Sequence, residues 1–343
     1  MQLQGLDLNS IDSQISEYQW IPDGFHFLGF EESKRRRALL DKIYIFFREK
    51  GYEEVTPPSF DYTSSFQNFI SKNEFQNIFK SRDFSGREIS PSIDLTLQIV
   101  KGLANYSTET GSHKVFYTGK ILKDSKKANA DRREILQAGA EIIGHSNANS
   151  FKMLFSHIDM LHTELGLTEK ITLVLGNVSI FKKIIEFLKL DKEESLTLSK
   201  LFYTKNQTSI QDFFSKRNIR EDIQSVLLKM IFNFSIQEMN IELQKLSELY
   251  NLDLEKHLEE ALELYEFSIK LENIDLCVDY SLISDLEYYT GFVFQGYYSR
   301  LPYPICMGGA YDHLFQKFAN IEKKACGFAI NLDLIEEEMN HAR

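Results

Sequence analysis

One interval constrains this chain more than any other: residues 178–270 contain no proline and read as helix throughout. In its first part Ile180, Ile184, Phe187 and Leu188 fall on one helical face, and Leu258, Ala261, Leu262, Tyr265 and Ile269 mark another amphipathic helix near its end. The pattern differs on either side. Short apolar and aromatic runs at 114–117, 140–143 and 171–175 precede it, and runs at 276–280, 288–298 and 325–330 follow it; all have strand length. An α+β fold with an all-helical insertion is expected, with residues 1–177 and 271–343 as two parts of one sheet-containing domain and 178–270 as the insertion.

Other elements are legible locally. Leu39, Leu40, Ile43, Phe46 and Phe47 recur at helical spacing over residues 31–50, after Pro22-Asp23-Gly24, and Gly51 closes the stretch. Lys34, Arg35, Arg36 and Arg37 form a basic run there, but Glu31 and Glu32 stand one turn earlier and supply i,i+4 partners, which predicts a solvated face. Residues 52–58 are extended, and Pro57-Pro58 cannot donate to a central ladder. Residues 307–312, Met-Gly-Gly-Ala-Tyr-Asp, predict a glycine-containing turn leading into a helix.

Charge and cysteine usage narrow the function. The 39 basic and 50 acidic residues among 343 give a net charge of -11. Holding a nucleic-acid backbone ordinarily needs a basic excess, because neutralised phosphates supply most of the affinity. Cys277, Cys306 and Cys326 form no C-x-x-C pair, so neither a zinc site nor a disulfide framework is suggested, and no metal or cofactor is expected. The N-terminal sequence lacks a basic segment followed by an apolar one, and no apolar run reaches membrane-spanning length; a cytoplasmic chain is expected.

Four segments in order resemble histidyl-tRNA synthetase and its relatives, over roughly residues 20–340. Gly51-Tyr-Glu-Glu-Val-Thr-Pro-Pro58 resembles class II motif 1, the dimer-forming element. Phe116-Tyr-Thr-Gly119 through Gln137-Ala-Gly-Ala-Glu-Ile-Ile-Gly144 is similar to motif 2. Leu286-Glu-Tyr-Tyr-Thr-Gly-Phe-Val-Phe294 resembles the histidine-specific signature, and Gly308-Gly-Ala-Tyr-Asp312 with Gly327-Phe-Ala-Ile330 the approach to motif 3. The resemblance implies a class II aminoacyl-tRNA synthetase fold, an antiparallel sheet flanked by helices and interrupted by the insertion.

It also implies a pocket for free histidine. Asp94, Thr96, Gln137 and Glu141 match residues that hold the amino acid's ammonium end, and Tyr288, Tyr289 and Tyr311 match aromatics lining the imidazole end. Buried polar ligand groups require such converging partners. Gln137 and Glu141 share a face in a strand, where even separations point the same way.

The catalytic half departs from the family. Adenylate formation builds negative charge on phosphorus, which guanidinium groups stabilise and lysine reproduces poorly. The motif 2 arginine falls at Lys123, with its neighbouring glutamate at Ser125; the arginine before the tyrosine pair falls at Ser284; the motif 3 arginine, after Asp333, falls at Leu334. Loss of one such donor typically lowers the rate by roughly 10²- to 10³-fold. Arg133 persists at a further motif 2 position.

The chain reaches Arg343 shortly after the motif 3 region, with no anticodon-binding domain, so tRNA binding is not expected. That combination, retained histidine contacts without nucleotide chemistry, resembles the regulatory-subunit group of ATP phosphoribosyltransferase. That resemblance implies a short-form catalytic partner in a hetero-octamer, self-dimerisation through motif 1, and L-histidine as feedback effector. The alternatives are a truncated enzyme that still forms histidyl-adenylate, and a synthetase-derived sensor of tRNA or histidine.

Overall fold

Glu31 and Glu32 open, and Gly51 closes, the first long helix, α1 (Phe30–Glu49). The Glu32 carboxylate accepts the Gly29 N–H at 2.8 Å, and Gly51 takes a positive φ of +77° that suits glycine. Leu39, Ile43, Phe46 and Phe47 are buried along one side. The basic run finds partners other than those expected. Arg37 pairs with Asp41 along the helix, while Arg36 reaches across to Asp333 and Glu336. The computed structural model describes residues 21–70, 75–106, 111–124, 132–232, 235–283, 288–319 and 322–341.

After α1 come β1 (Glu53–Glu54), β2 (Phe60–Tyr62), β3 (Ser81–Arg82) and β4 (Glu88–Pro91). Helix α2 (Leu95–Tyr106), strands β5 (His113–Leu122) and β6 (Glu134–Ile143), helix α3 (Ala148–Leu165) and β7 (Ile171–Asn177) follow. Six helices then succeed one another: α4 (Val178–Leu188), α5 (Lys192–Tyr203), α6 (Gln207–Lys216), α7 (Glu221–Met230), α8 (Ile236–Tyr250) and α9 (Glu255–Ser268). The remainder is β8 (Ile274–Val278), β9 (Phe292–Tyr297), β10 (Cys306–Ala310), α10 (Leu314–Ala319), β11 (Ala325–Asn331) and α11 (Leu332–His341).

Eight strands form one sheet in the order β1-β5-β6-β11-β10-β9-β7-β8, and β2-β4-β3 form a small second sheet. The interior pairings are antiparallel; β1–β5 and β7–β8 at the two ends are parallel. A parallel pair needs a long crossover, and the six helices provide the one joining β7 to β8. This is an α+β architecture, with helices packed on a mixed sheet.

Strand β6 shows how the sheet divides two cores. Leu136, Ala138, Ala140 and Ile142 face the main core with α1, α3 and the helical segment, while Ile135 and Ile143 face a second cluster built around α2. The alternation follows from the two-residue period of an extended chain. Two of the cysteines, Cys306 and Cys326, are buried and none is paired. Among the described residues no helix is long and apolar enough to cross a membrane.

Residues 306–310 correct the sequence expectation: the turn predicted at Met307-Gly-Gly is strand β10, in the sheet interior. Glycine serves close packing here. The Phe294 ring lies over Gly308 from the neighbouring strand, where an added Cβ would meet it at 2.5 Å and the Gly327 carbonyl at 2.3 Å. On the opposite face the Tyr289 ring lies over Gly309, 2.6 Å from where a Cβ would stand. Gly308→Ala should therefore lower stability by about 1–3 kcal/mol through overpacking. Urea denaturation should show the midpoint falling with an unchanged m-value, and an unaltered midpoint would contradict this packing.

Candidate functional site

Glu141 stands near the end of β6, on the face that β6 turns toward α2. Its side chain is 1% exposed. Across the strand pair its partner is Gly327 of β11, and a Cβ there would fall 1.6 Å from Glu141 Oε2. Only glycine leaves room for the carboxylate at this register.

Three hydroxyls converge on that carboxylate. Tyr311 donates to Oε2 at 2.5 Å, while Thr96 and Tyr117 donate to Oε1 at 2.9 and 3.2 Å. Thr96 lies in the first turn of α2, and Asp94 caps that helix, its Oδ1 accepting the Leu97 N–H at 2.9 Å. Asp94 Oδ2 accepts the Tyr288 hydroxyl at 2.9 Å. The rings of Tyr288 and Tyr289 stand 4.8 Å apart, and Tyr311 meets Tyr288 edge-on at 6.2 Å.

These groups line a cavity of about 340 Å³. Asp94, Thr96, Gln137, Glu141, Tyr288, Tyr289 and Tyr311, far apart in sequence, all face it. Lys123 faces it too, and is the one lysine or arginine among the described lining residues. Leu334 does not: it is 1% exposed and packs in the main core. Ser125 and Ser284 lie outside the described residues. Arg133 is turned to other partners, paired with Asp124 and stacked over Phe79 at 4.5 Å.

Sequence reasoning singled out Tyr117 only as part of a motif, although its hydroxyl reaches Glu141, and it gave no role to Gly327 or Gly309. Tyr117 pairs with Gly139 across β5–β6, two residues from Glu141, in a register that only the folded sheet sets.

Burial, partly offset by the three donated hydrogen bonds, lifts the Glu141 carboxyl to about 7; the nearby Asp94 charge adds to the rise. Burial likewise raises Tyr117, Tyr288 and Tyr311 well above the ordinary phenol range, so they remain donors at neutral pH.

For a carboxyl with a raised folded-state value, the native state holds the proton more tightly than the unfolded chain. Its contribution is full below the ordinary value of 4.5 and is lost as pH rises toward about 7. His157, beside Tyr52 at 3.1 Å and lowered by burial to about 4, acts oppositely between pH 4 and 6.5. The diagnostic quantity is therefore a difference between proteins. Glu141→Gln should gain stability relative to the parent by about 3 kcal/mol between pH 4.5 and 7.5, measured by chemical denaturation. A difference that stays flat with pH would show that Glu141 titrates normally.

Comparison with known proteins places this geometry. A family model described as histidyl-tRNA synthetase matches residues 24–335. An ATP phosphoribosyltransferase regulatory subunit from Leptospira interrogans serogroup Icterohaemorrhagiae serovar copenhageni is 42% identical over 328 residues, covering 94% of this chain and 95% of its own. A protein of the same description from Caldanaerobacter subterraneus subsp. tengcongensis is 28% identical over 318 residues, covering 92% and 82%. Among solved structures, an ATP phosphoribosyltransferase regulatory subunit/histidyl-tRNA synthetase from Bacillus halodurans C aligns with a TM-score of 0.77 at 23% identity, covering 93% and 83%. A histidine–tRNA ligase subunit from Alicyclobacillus acidocaldarius aligns at 0.78 and 19% identity, covering 94% and 98%. The two structures speak for the fold, and the sequence relatives for the family: the chain belongs to the ATP phosphoribosyltransferase regulatory subunits, built on the histidyl-tRNA synthetase fold.

Proposed function

We propose that this chain is a non-catalytic subunit that a short-form ATP phosphoribosyltransferase requires for activity, and that it confers inhibition by L-histidine on the first step of histidine biosynthesis. The observation that carries the reading is Glu141, a buried carboxylate in a cavity with no guanidinium among its described lining residues. A ligand ammonium would meet Glu141, Asp94 and Thr96, with Gln137 beside them. An imidazole would lie among Tyr288, Tyr289 and Tyr311. A reacting triphosphate would find Lys123 alone, and a single ammonium cannot reproduce a set of fork-shaped donors.

The partner would supply the chemistry. Dimerisation through α1 and the motif 1 strand, and assembly with catalytic subunits into a hetero-octamer, complete the proposal; tRNA has no place in it. If histidine alters the catalytic subunit's affinity for substrate, substrate must alter histidine's affinity equally.

The test is an assay of the assembled complex with wild type, Glu141→Gln and Asp94→Asn. Removing one partner of a buried charge pair should raise the histidine concentration for half-inhibition by at least about thirtyfold. Unchanged inhibition in both variants would place the effector elsewhere. Histidine-dependent exchange of pyrophosphate into ATP by the chain alone would instead establish an adenylate-forming enzyme.

Affinity should also depend on pH. The empty Glu141 carboxyl holds a proton below about 7. An ammonium needs the carboxylate, so binding expels that proton and affinity falls by up to about tenfold per unit below pH 7. The ligand's own imidazole titrates nearby. Calorimetry on wild type and Glu141→Gln separates the two, because the variant should retain only the ligand's share.

A further inference from the structure

The six helices between β7 and β8 have no part in the pocket as described so far, yet the first of them grips the loop that carries two of its tyrosines. Asn177 caps α4, its Oδ1 accepting the Ser179 N–H at 3.0 Å. From that helix start, three donors meet three successive carbonyls. The Val178 N–H donates to Gly291 O at 2.9 Å, the Ser179 hydroxyl to Thr290 O at 2.7 Å, and the Lys182 ammonium to Tyr289 O at 2.9 Å.

The same loop is fixed from its other side by β10. The Thr290 N–H donates to Ala310 O at 2.8 Å, and its hydroxyl accepts the Asp312 N–H at 3.0 Å. Peptides 289–291 are thus pinned between the helical segment and the sheet. Both tyrosines depend on that placement. The Tyr289 ring lies on Gly309 without room for a Cβ, and the Tyr288 hydroxyl must reach Asp94. A shift of these peptides moves both rings together, and binding groups displaced by about 1 Å lose much of their effect.

We infer that Ser179 and Lys182 are positioning residues for Tyr288 and Tyr289, and that the helical segment sets the pocket's affinity for its ligand through them. This rests on the reading that the pocket holds L-histidine. The Val178 bond comes from the main chain and survives side-chain change; Ser179 and Lys182 are the two side-chain donors of the grip. Lys182 is exposed at the surface, although burial holds its ammonium below the ordinary lysine range; its removal acts mainly on the loop it holds.

The experiment is calorimetric titration of the full chain with L-histidine, using wild type, the double variant Ser179→Ala/Lys182→Met, and Lys182→Arg. The double variant should bind about tenfold more weakly with a thermal midpoint within about 3 °C of wild type. Lys182→Arg, which still presents a donor to Tyr289 O, should bind as wild type does. Equal affinity in wild type and the double variant overturns the positioning role while leaving the histidine pocket standing. So does weakened binding accompanied by a lowered thermal midpoint that Lys182→Arg shares, since that marks a merely structural contact. Absence of histidine binding by wild type overturns the pocket reading itself.

Discussion

A carboxylate lying on a glycine organises this molecule. Glu141 of β6 and Gly327 of β11 face each other across the pairing of a strand that precedes the helical segment with one that follows it. The carboxylate occupies the volume that any side chain at 327 would need. In that position it is almost fully buried, and it persists because Tyr311, Thr96 and Tyr117 all donate to it. A buried polar group is tolerable when its partners are complete, and these three come from β10's end, α2 and β5. The arrangement of the elements around the pocket and the ionisation of Glu141 are therefore one problem. Elements that bring hydroxyls inward lower the cost of the charge, while the desolvation they cause keeps its proton on to about pH 7.

Arg36, Arg132 and Arg133, unlike Lys123, are committed to structural partners. Arg36 of α1 binds Asp333 at 2.5 Å and Glu336 at 2.5 Å, and Asp333 also accepts the Leu136 N–H at 2.8 Å and pairs with Arg132 at 3.3 Å. That network ties α1, β6 and α11 together. Its acidic centre is 3% exposed, so the charge there is neutralised by structural partners. Next to it, Leu334 lies inside the core, where an arginine could not be accommodated without displacing apolar neighbours. The packing of α11 thus requires an apolar side chain at this position.

Much of the candidate site was legible before any coordinates. The two-residue period of a strand placed Gln137 and Glu141 on one face, and β6 has that alternation along its length. Likeness to the family supplied Asp94, Thr96 and the three tyrosines, and all of them line the same cavity. Glycine was where local reasoning failed. Gly308-Gly309 reads as a turn because glycine's commonest local use is conformational freedom. In β10 it instead makes space for rings arriving from other parts of the chain, Phe294 on one face and Tyr289 on the other. No window of neighbouring residues contains that information. The partners of Arg36 were missed for the same reason, since Asp333 and Glu336 lie some 300 residues away.

The sequence by itself determined the elements and their faces: an amphipathic α1 bounded by Gly51, a proline-free helical interval between strand runs, and an odd-even division along β6. Those are consequences of backbone periodicity and side-chain chemistry over a few residues, and they hold wherever the chain goes. Tertiary structure decided what the faces meet. It set the order of strands, the parallel closure of β7 on β8, the glycines under rings and carboxylate, and the grip of α4 on the tyrosine loop. Each of these is a contact between segments that only folding brings within a few ångströms, and at that range register and volume matter more than residue type.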